Sequence, residues 1–174
     1  MVDLLTPTPT AAVLAFGANL GNREQTIRDA ALELAERPGI LSVRLSSLLE
    51  SVAITEAGPS TDEPAYLNAV ALIDTTLSPR ELLQTVLDVE QLFGRVRSER
   101  WAARTLDVDI VAFGQERVNE PDLVVPHPHA AQRLFVLHPW LELDPHATIV
   151  GAGSVATLAA ALVARQKLPA EVTP

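Results

Sequence analysis

Hydrophobic and polar positions along this chain follow two different periods, and the changes fall at clear punctuation. Residues 11–16 (AAVLAF) form a short unbroken apolar run, the pattern of a buried strand. It ends in the glycine turn Gly17-Ala18-Asn19-Leu20-Gly21-Asn22. After it, Ile27, Ala30, Ala31, Leu34 and Ala35 recur at helical spacing and predict a helix over 23–37, stopped by Pro38-Gly39. Over 40–51 the period drops to two. Leu41, Val43, Leu45 and Ser47 alternate there with Ser42, Arg44 and Ser46, which reads as a strand with one wet face. Gly58, Pro59 and Pro64 mark 52–64 as a long loop, and loops of that length in compact domains are often functional.

Residues 65–75 (AYLNAVALIDT) predict another apolar strand. Ser78 then offers a helix N-cap, with Pro79 in the first position and Glu81 in the first turn. Leu82, Leu83, Val86, Val89, Glu90 and Phe93 recur along that helix, and Gly94 ends it. A β-branched run over 107–113 closes the series. The order β-α-β-β-α-β is the split, ferredoxin-like α+β plan: an antiparallel sheet with helices packed on it. Residues 115–139 are rich in proline and histidine and read as too irregular for sheet interior, while 154–166 predict a closing helix capped by Ser154, a C-terminal extension to the plan. The expected organisation is a flexible tail over 1–10, a single domain over 11–168 and a C-terminal tail over 169–174.

Composition narrows the function. The chain has 174 residues and a net charge of −9, which argues against a general nucleic-acid binder or a membrane-surface protein. It has no cysteine, so disulfides, Cys-ligated zinc and thiol nucleophiles are excluded. The first ten residues lack the basic and apolar regions of a secretory signal, and no apolar run approaches the ~20 residues that span a bilayer. A cytoplasmic location is the expectation.

The sharpest chemistry lies in 95–111, RVRSERWAARTLDVDIV. Arg95, Arg97, Arg100 and Arg104 cluster around Trp101, and Asp107 and Asp109 follow at the spacing that puts both carboxylates on one strand face. Arginines that grip anions, a ring that stacks and two adjacent acids that can hold Mg²⁺ suit a nucleoside triphosphate. The competing reading is an arginine-rich loop neutralised by the acids. His127 and His129 lie between prolines, where a phosphate contact or a structural hydrogen bond fits better than zinc. Tyr66 and Asn68 share a strand face, and an asparagine in an apolar strand calls for a specific partner; a carboxamide can pair with a heterocycle edge in two directions. The glycine turn 17–22 either faces an anion or is a tight turn.

Residues 100–111, RWAARTLDVDIV, resemble the signature of the 6-hydroxymethyl-7,8-dihydropterin pyrophosphokinases of folate biosynthesis. Further matches are 15–23 (AFGANLGNR), 66–70 (YLNAV), Glu90 with 94–97 (GRVR), and 125–135 (VPHPHAAQRLF). The resemblance implies a ferredoxin-like fold and transfer of pyrophosphate from MgATP to the pterin hydroxymethyl group, with release of AMP. It implies that Asp107 and Asp109 hold two Mg²⁺ ions, and that Arg95 and Arg97 belong to a loop closing over the triphosphate. Trp101 and Arg104 would stand near pterin and phosphates, Glu90, His127 and Arg133 on the ATP side, and Tyr66, Asn68 and Phe135 in the pterin pocket. The substrates implied are small molecules, with no nucleic acid and no membrane.

The sequence also departs from the family pattern. Ala18 replaces a usual serine, Ala103 a common proline, Ser98 an occasional lysine, and Pro128 a frequent tyrosine. The usual Tyr-x-Thr-x-Pro-x-Gly stretch is degenerate over 49–60, with either 49–51 or the region of Thr55 in its place. That degeneracy keeps two other readings open: a Mg-dependent kinase or pyrophosphohydrolase with another acceptor, and a non-catalytic ferredoxin-like binding module.

Overall fold

The apolar run at the start of the chain becomes β1 (Thr10–Ala18), the strand on which the sheet is built. The computed structural model describes residues 8–55, 58–60, 64–94 and 105–167. After β1 come α1 (Arg23–Ala35), β2 (Ile40–Leu45), β3 (Leu49–Ser51), β4 (Ala53–Thr55), β5 (Gly58–Ser60) and β6 (Tyr66–Thr75). Then follow α2 (Pro79–Leu92), β7 (Asp107–Phe113), β8 (Val118–Glu120), β9 (Leu123–Val125), a 3-10 turn (Ala130–Gln132), α3 (Leu134–Leu143), β10 (Thr148–Ile149), β11 (Gly153–Ser154) and α4 (Val155–Lys167). Both early helices start as their caps dictate. The Asn22 side chain accepts from the Gln25 amide, and Ser78 and Glu81 form a reciprocal capping box ahead of Pro79.

The main sheet runs β2-β6-β1-β7, antiparallel at each junction, with β3 pairing to β6 beyond β2. It is an α+β architecture with both sheet faces covered. Leu14, Phe16, Ala71, Ile73, Val108 and Ile110 pack on one side against Ile27 and Leu34 of α1 and Leu82, Val86 and Val89 of α2. Val13, Val70 and Val111 pack on the other side against Val136, Leu137 and Trp140 of α3 and Val155 and Ala159 of α4. A bulge between β1 and β7, where Val13 faces Ala112 and Leu14 faces Ile110, leaves Val111 as the extra residue. Among the described residues no helix is long and apolar enough to cross a membrane.

Three local expectations are corrected. The strand expected over 40–51 is broken. Ile40 pairs with Thr75 but Ser42 with Asp74, so Leu41 is a bulge residue, 56% exposed rather than on the inner face. A second irregularity follows, since Leu45 faces Ala71 and Leu49 faces Asn68, four residues against three. Between them Ser46 is buried and accepts from the Val70 amide, while the exposed Ser47 bonds Glu142 of α3. The loop expected over 52–64 carries the paired strands β4 and β5. Residues 115–139, read as too irregular for sheet interior, do stay out of the main sheet, but they contain the unforeseen β8–β9 hairpin and most of α3, with Pro139 inside that helix. A helix-interior proline costs ~3 kcal/mol. Burying Val136, Leu137 and Trp140 against the sheet returns ~1.5–3 kcal/mol for each side chain, so packing decides the outcome.

Candidate active site

Antiparallel pairing brings the end of β1 and the starts of β6 and β7 to one edge of the sheet. Gly17 pairs with Asn68 on one side and with Asp107 on the other. One row deeper, Ala15 stands between Val70 and Asp109. Directly opposed residues share a sheet face, and strands lie ~4.8 Å apart, so Asn68 and Asp107 are about 10 Å apart across a glycine. A Cβ on Gly17 would lie 3.6 Å from Tyr66 Cδ1 and 3.7 Å from Asn68 Oδ1. The glycine therefore leaves a bare floor between an aromatic–amide pair and an acid pair. The face is that of Val13, Val70 and Val111, which α3 and α4 cover only further along the strands.

Asp107 and Asp109 are both half-buried and alternate with buried Val108 and Ile110, as their spacing predicts. Asp109 Oδ2 lies 3.6 Å from His127 Nε2 and 3.7 Å from Arg133 NH1, close enough for electrostatic contact but too long for hydrogen bonds. His127 is held from the backbone: its N–H donates to Val111 O, and its Nδ1 accepts the His129 amide at 3.1 Å. A neutral ring so held carries its proton on Nε2, facing Asp109. Burial chiefly, and then the Arg133 charge, push the imidazole down to about 4, against the pull of Asp107. It is therefore neutral at pH 7, and its contact with Asp109 is dipolar rather than an ion pair. Arg133 lies over the Phe135 ring at 5.7 Å from the centroid, so Phe135 supports the cation from the first turn of α3.

Among the described residues no group of three or more His, Cys, Asp or Glu is arranged to hold a metal ion. Two carboxylates on one strand do not make a closed protein cage. They fit Mg²⁺, which takes one or two carboxylates and completes its shell with water and phosphate oxygens.

On the other side of the floor, Asn68 is 5% exposed. Its Nδ2 donates to Leu49 O at 3.1 Å and Ser51 Oγ at 2.8 Å, both on β3. In this structure its donor side is engaged by the protein. Arg23, at the start of α1, donates to Ala65 O and to Glu50, pinning β3 and the entry to β6. Neither Ser51 nor Arg23 was singled out as a site residue by sequence reasoning. The only local signal was the position of Ser51 in the degenerate 49–60 stretch.

Glu90 is wholly buried on the inner face of α2, and its Oε1 accepts the Val108 amide at 2.7 Å. It approaches the acid strand from behind rather than from the Asp face. Arg95, Arg97, Arg100, Trp101 and Arg104 lie outside the described residues. Gly21, at φ +63°, and Asn22 account for the glycine turn as a tight turn that caps α1.

A family model described as 7,8-dihydro-6-hydroxymethylpterin-pyrophosphokinase (HPPK) matches residues 13–145. The chain belongs to this family of pyrophosphokinases. It is 42% identical over 133 residues to the 2-amino-4-hydroxy-6-hydroxymethyldihydropteridine pyrophosphokinase of Pseudomonas aeruginosa, covering 76% of this chain and 79% of that one. The enzyme of the same name from Methylorubrum extorquens is 37% identical, with coverage of 82% and 87%. For the Synechocystis enzyme the identity is 41%, and this chain spans 66% of its length. The fold is similar to that in the crystal structure of wild-type Plasmodium falciparum HPPK-DHPS with pteroate, at TM-score 0.70 and 15% identity, covering 92% of this chain and 43% of that one.

Proposed function

We propose that this site transfers pyrophosphate from ATP to the hydroxymethyl group of 6-hydroxymethyl-7,8-dihydropterin, giving the pterin diphosphate and AMP in folate biosynthesis. The observation that carries the reading is the Asn68–Gly17–Asp107 row, which sets an amide for a heterocycle and acids for a metal–triphosphate on one face about 10 Å apart. In the reaction the hydroxyl oxygen forms a bond to the β-phosphorus. The bond from that phosphorus to the α–β bridging oxygen breaks, AMP leaves and the hydroxyl proton is released. Such transfer is governed by positioning and charge neutralisation more than by covalent chemistry.

In this reading Asp107 and Asp109 hold Mg²⁺, two ions in all, which when bound neutralises phosphate-oxygen charge. His127 offers a neutral N–H donor, and Arg133 a cation, on the phosphate side of the floor. Tyr66, Asn68 and Phe135 line the pterin pocket. By resemblance, Arg95, Arg97 and Arg104 bind and neutralise the triphosphate, and Trp101 serves both ATP and pterin binding. Glu90, assigned to the ATP side by resemblance, acts from behind by holding β7. The strand order supports a ferredoxin-like plan within a single domain over 11–168, with α3 and α4 as its C-terminal extension and tails at 1–10 and 169–174. Use of ATP as co-substrate supports a cytoplasmic location.

Calorimetric titration with the non-hydrolysable α,β-methylene ATP tests the metal part. Binding should require Mg²⁺ in the wild type and be lost in Asp107→Ala/Asp109→Ala. Equal Mg²⁺-dependent binding by that double variant would remove the acids from the site.

A further inference from the structure

We infer that Ser51 is a positioning residue that holds the Asn68 carboxamide as a pure acceptor, so that the floor beside Gly17 selects a heterocycle presenting an N–H donor there. A carboxamide brings two donor hydrogens and one acceptor oxygen. Both Asn68 hydrogens have partners on β3: Leu49 O, which can only accept, and Ser51 Oγ, the shorter contact at 2.8 Å. Turning the amide over would place its oxygen against the Leu49 carbonyl, oxygen to oxygen, in a side chain only 5% exposed. The oxygen is thus directed to the other side, 3.7 Å from where a Gly17 Cβ would stand. With no side chain on Gly17, that oxygen is presented over the floor.

The arrangement depends on the break between β2 and β3. The extra residue between Leu45 and Leu49 resets the register so that Leu49 opposes Asn68 and Ser51 opposes Tyr66, which places Ser51 on the Asn68 face. Arg23 then pins β3 through Glu50 and the neighbouring Ala65 carbonyl. The degenerate stretch thereby supplies a definite group, a serine hydroxyl that engages the second amide hydrogen. Without it the carboxamide keeps the Leu49 carbonyl at 3.1 Å and only a long contact to the Tyr66 carbonyl at 3.5 Å, so its plane is less firmly held.

The inference rests on the pterin reading of this pocket, and Ser51→Thr and Ser51→Val separate the two. Both side chains are β-branched and similar in volume, but only threonine keeps the hydroxyl. The probe is 6-hydroxymethyl-7,8-dihydropterin, titrated by fluorescence in the presence of Mg²⁺ and α,β-methylene ATP. ATP-analogue affinity and melting temperature are measured alongside, as is water exchange of the Asn68 side-chain amide by ¹H–¹⁵N NMR, assigned with Asn68→Ala. Ser51→Thr should bind pterin within about twofold of wild type. Ser51→Val should bind about tenfold more weakly with faster amide exchange and unchanged ATP-analogue affinity. Equal pterin affinity in Ser51→Val, or unchanged amide exchange, would overturn the inference. Failure of the wild type itself to bind the pterin would refute the pocket reading instead, with the amide exchange still deciding the role of Ser51.

Discussion

Glu90 and Val108 are joined across the packing between α2 and the sheet: the buried Glu90 carboxylate accepts the Val108 amide N–H at 2.7 Å. Val108 stands between Asp107 and Asp109, so a residue on the helix side fixes the strand that displays both acids on the opposite face. Removing it leaves a buried N–H without this partner and a void behind β7. Glu90→Ala should lose about 3 kcal/mol of stability in urea denaturation, and Glu90→Gln, which keeps an acceptor, clearly less. The Mg²⁺ concentration for half-maximal activity should rise in the alanine variant. A stability loss with an unaltered Mg²⁺ requirement would limit Glu90 to holding the fold.

Gly17 makes the opposite kind of contribution, by having no side chain. An alanine there would make ordinary contacts with Tyr66 and Asn68, so Gly17→Ala should fold and keep its melting temperature within a few degrees. The methyl would occupy the floor, and KM for the pterin should rise about tenfold or more while KM for ATP changes little. Unchanged pterin KM would mean that the ligand does not lie over this row.

His127 predicts a pH dependence with a definite sign. Its folded-state value is pushed down to about 4, well below the ordinary 6.5, chiefly by burial. Between those limits the unfolded chain takes up the proton first, so stability contributed by the neutral ring is present above pH 6.5 and falls as the pH drops toward 4. Urea denaturation of the metal-free protein at pH 7, 5.5 and 4.5, compared with His127→Gln, should show a steeper acid loss in the wild type. Parallel profiles would mean that the imidazole is not held neutral.

The parts legible in the sequence are those written locally. The capping box at Ser78 and Glu81 and the shared face of Asp107 and Asp109 follow from spacings of two or three residues. Leu41 and Ser46 were misplaced because a bulge shifts phase only through pairing with β6, about 30 residues away, which no local alternation reports. Helix α3 was hidden by Pro139, whose cost is outweighed by burial against strands far away in the chain. The donors of Asn68 were committed to Leu49 and Ser51, a contact that exists only once β3 pairs with β6. Asn68 itself was legible as an amide that needed a partner, but the identity of that partner was not.

In the proposed function the two sides of the Gly17 floor carry one reaction, ATP and pterin to AMP and pterin diphosphate. Chromatographic product analysis tests it most directly, with purified protein and MgATP, with and without 6-hydroxymethyl-7,8-dihydropterin, beside Asp107→Ala/Asp109→Ala. AMP and pterin diphosphate should form in equal amounts, only when the pterin is present, and neither product should come from the double variant. ATP left intact in the presence of pterin, AMP formed without it, or full activity in the double variant would contradict it.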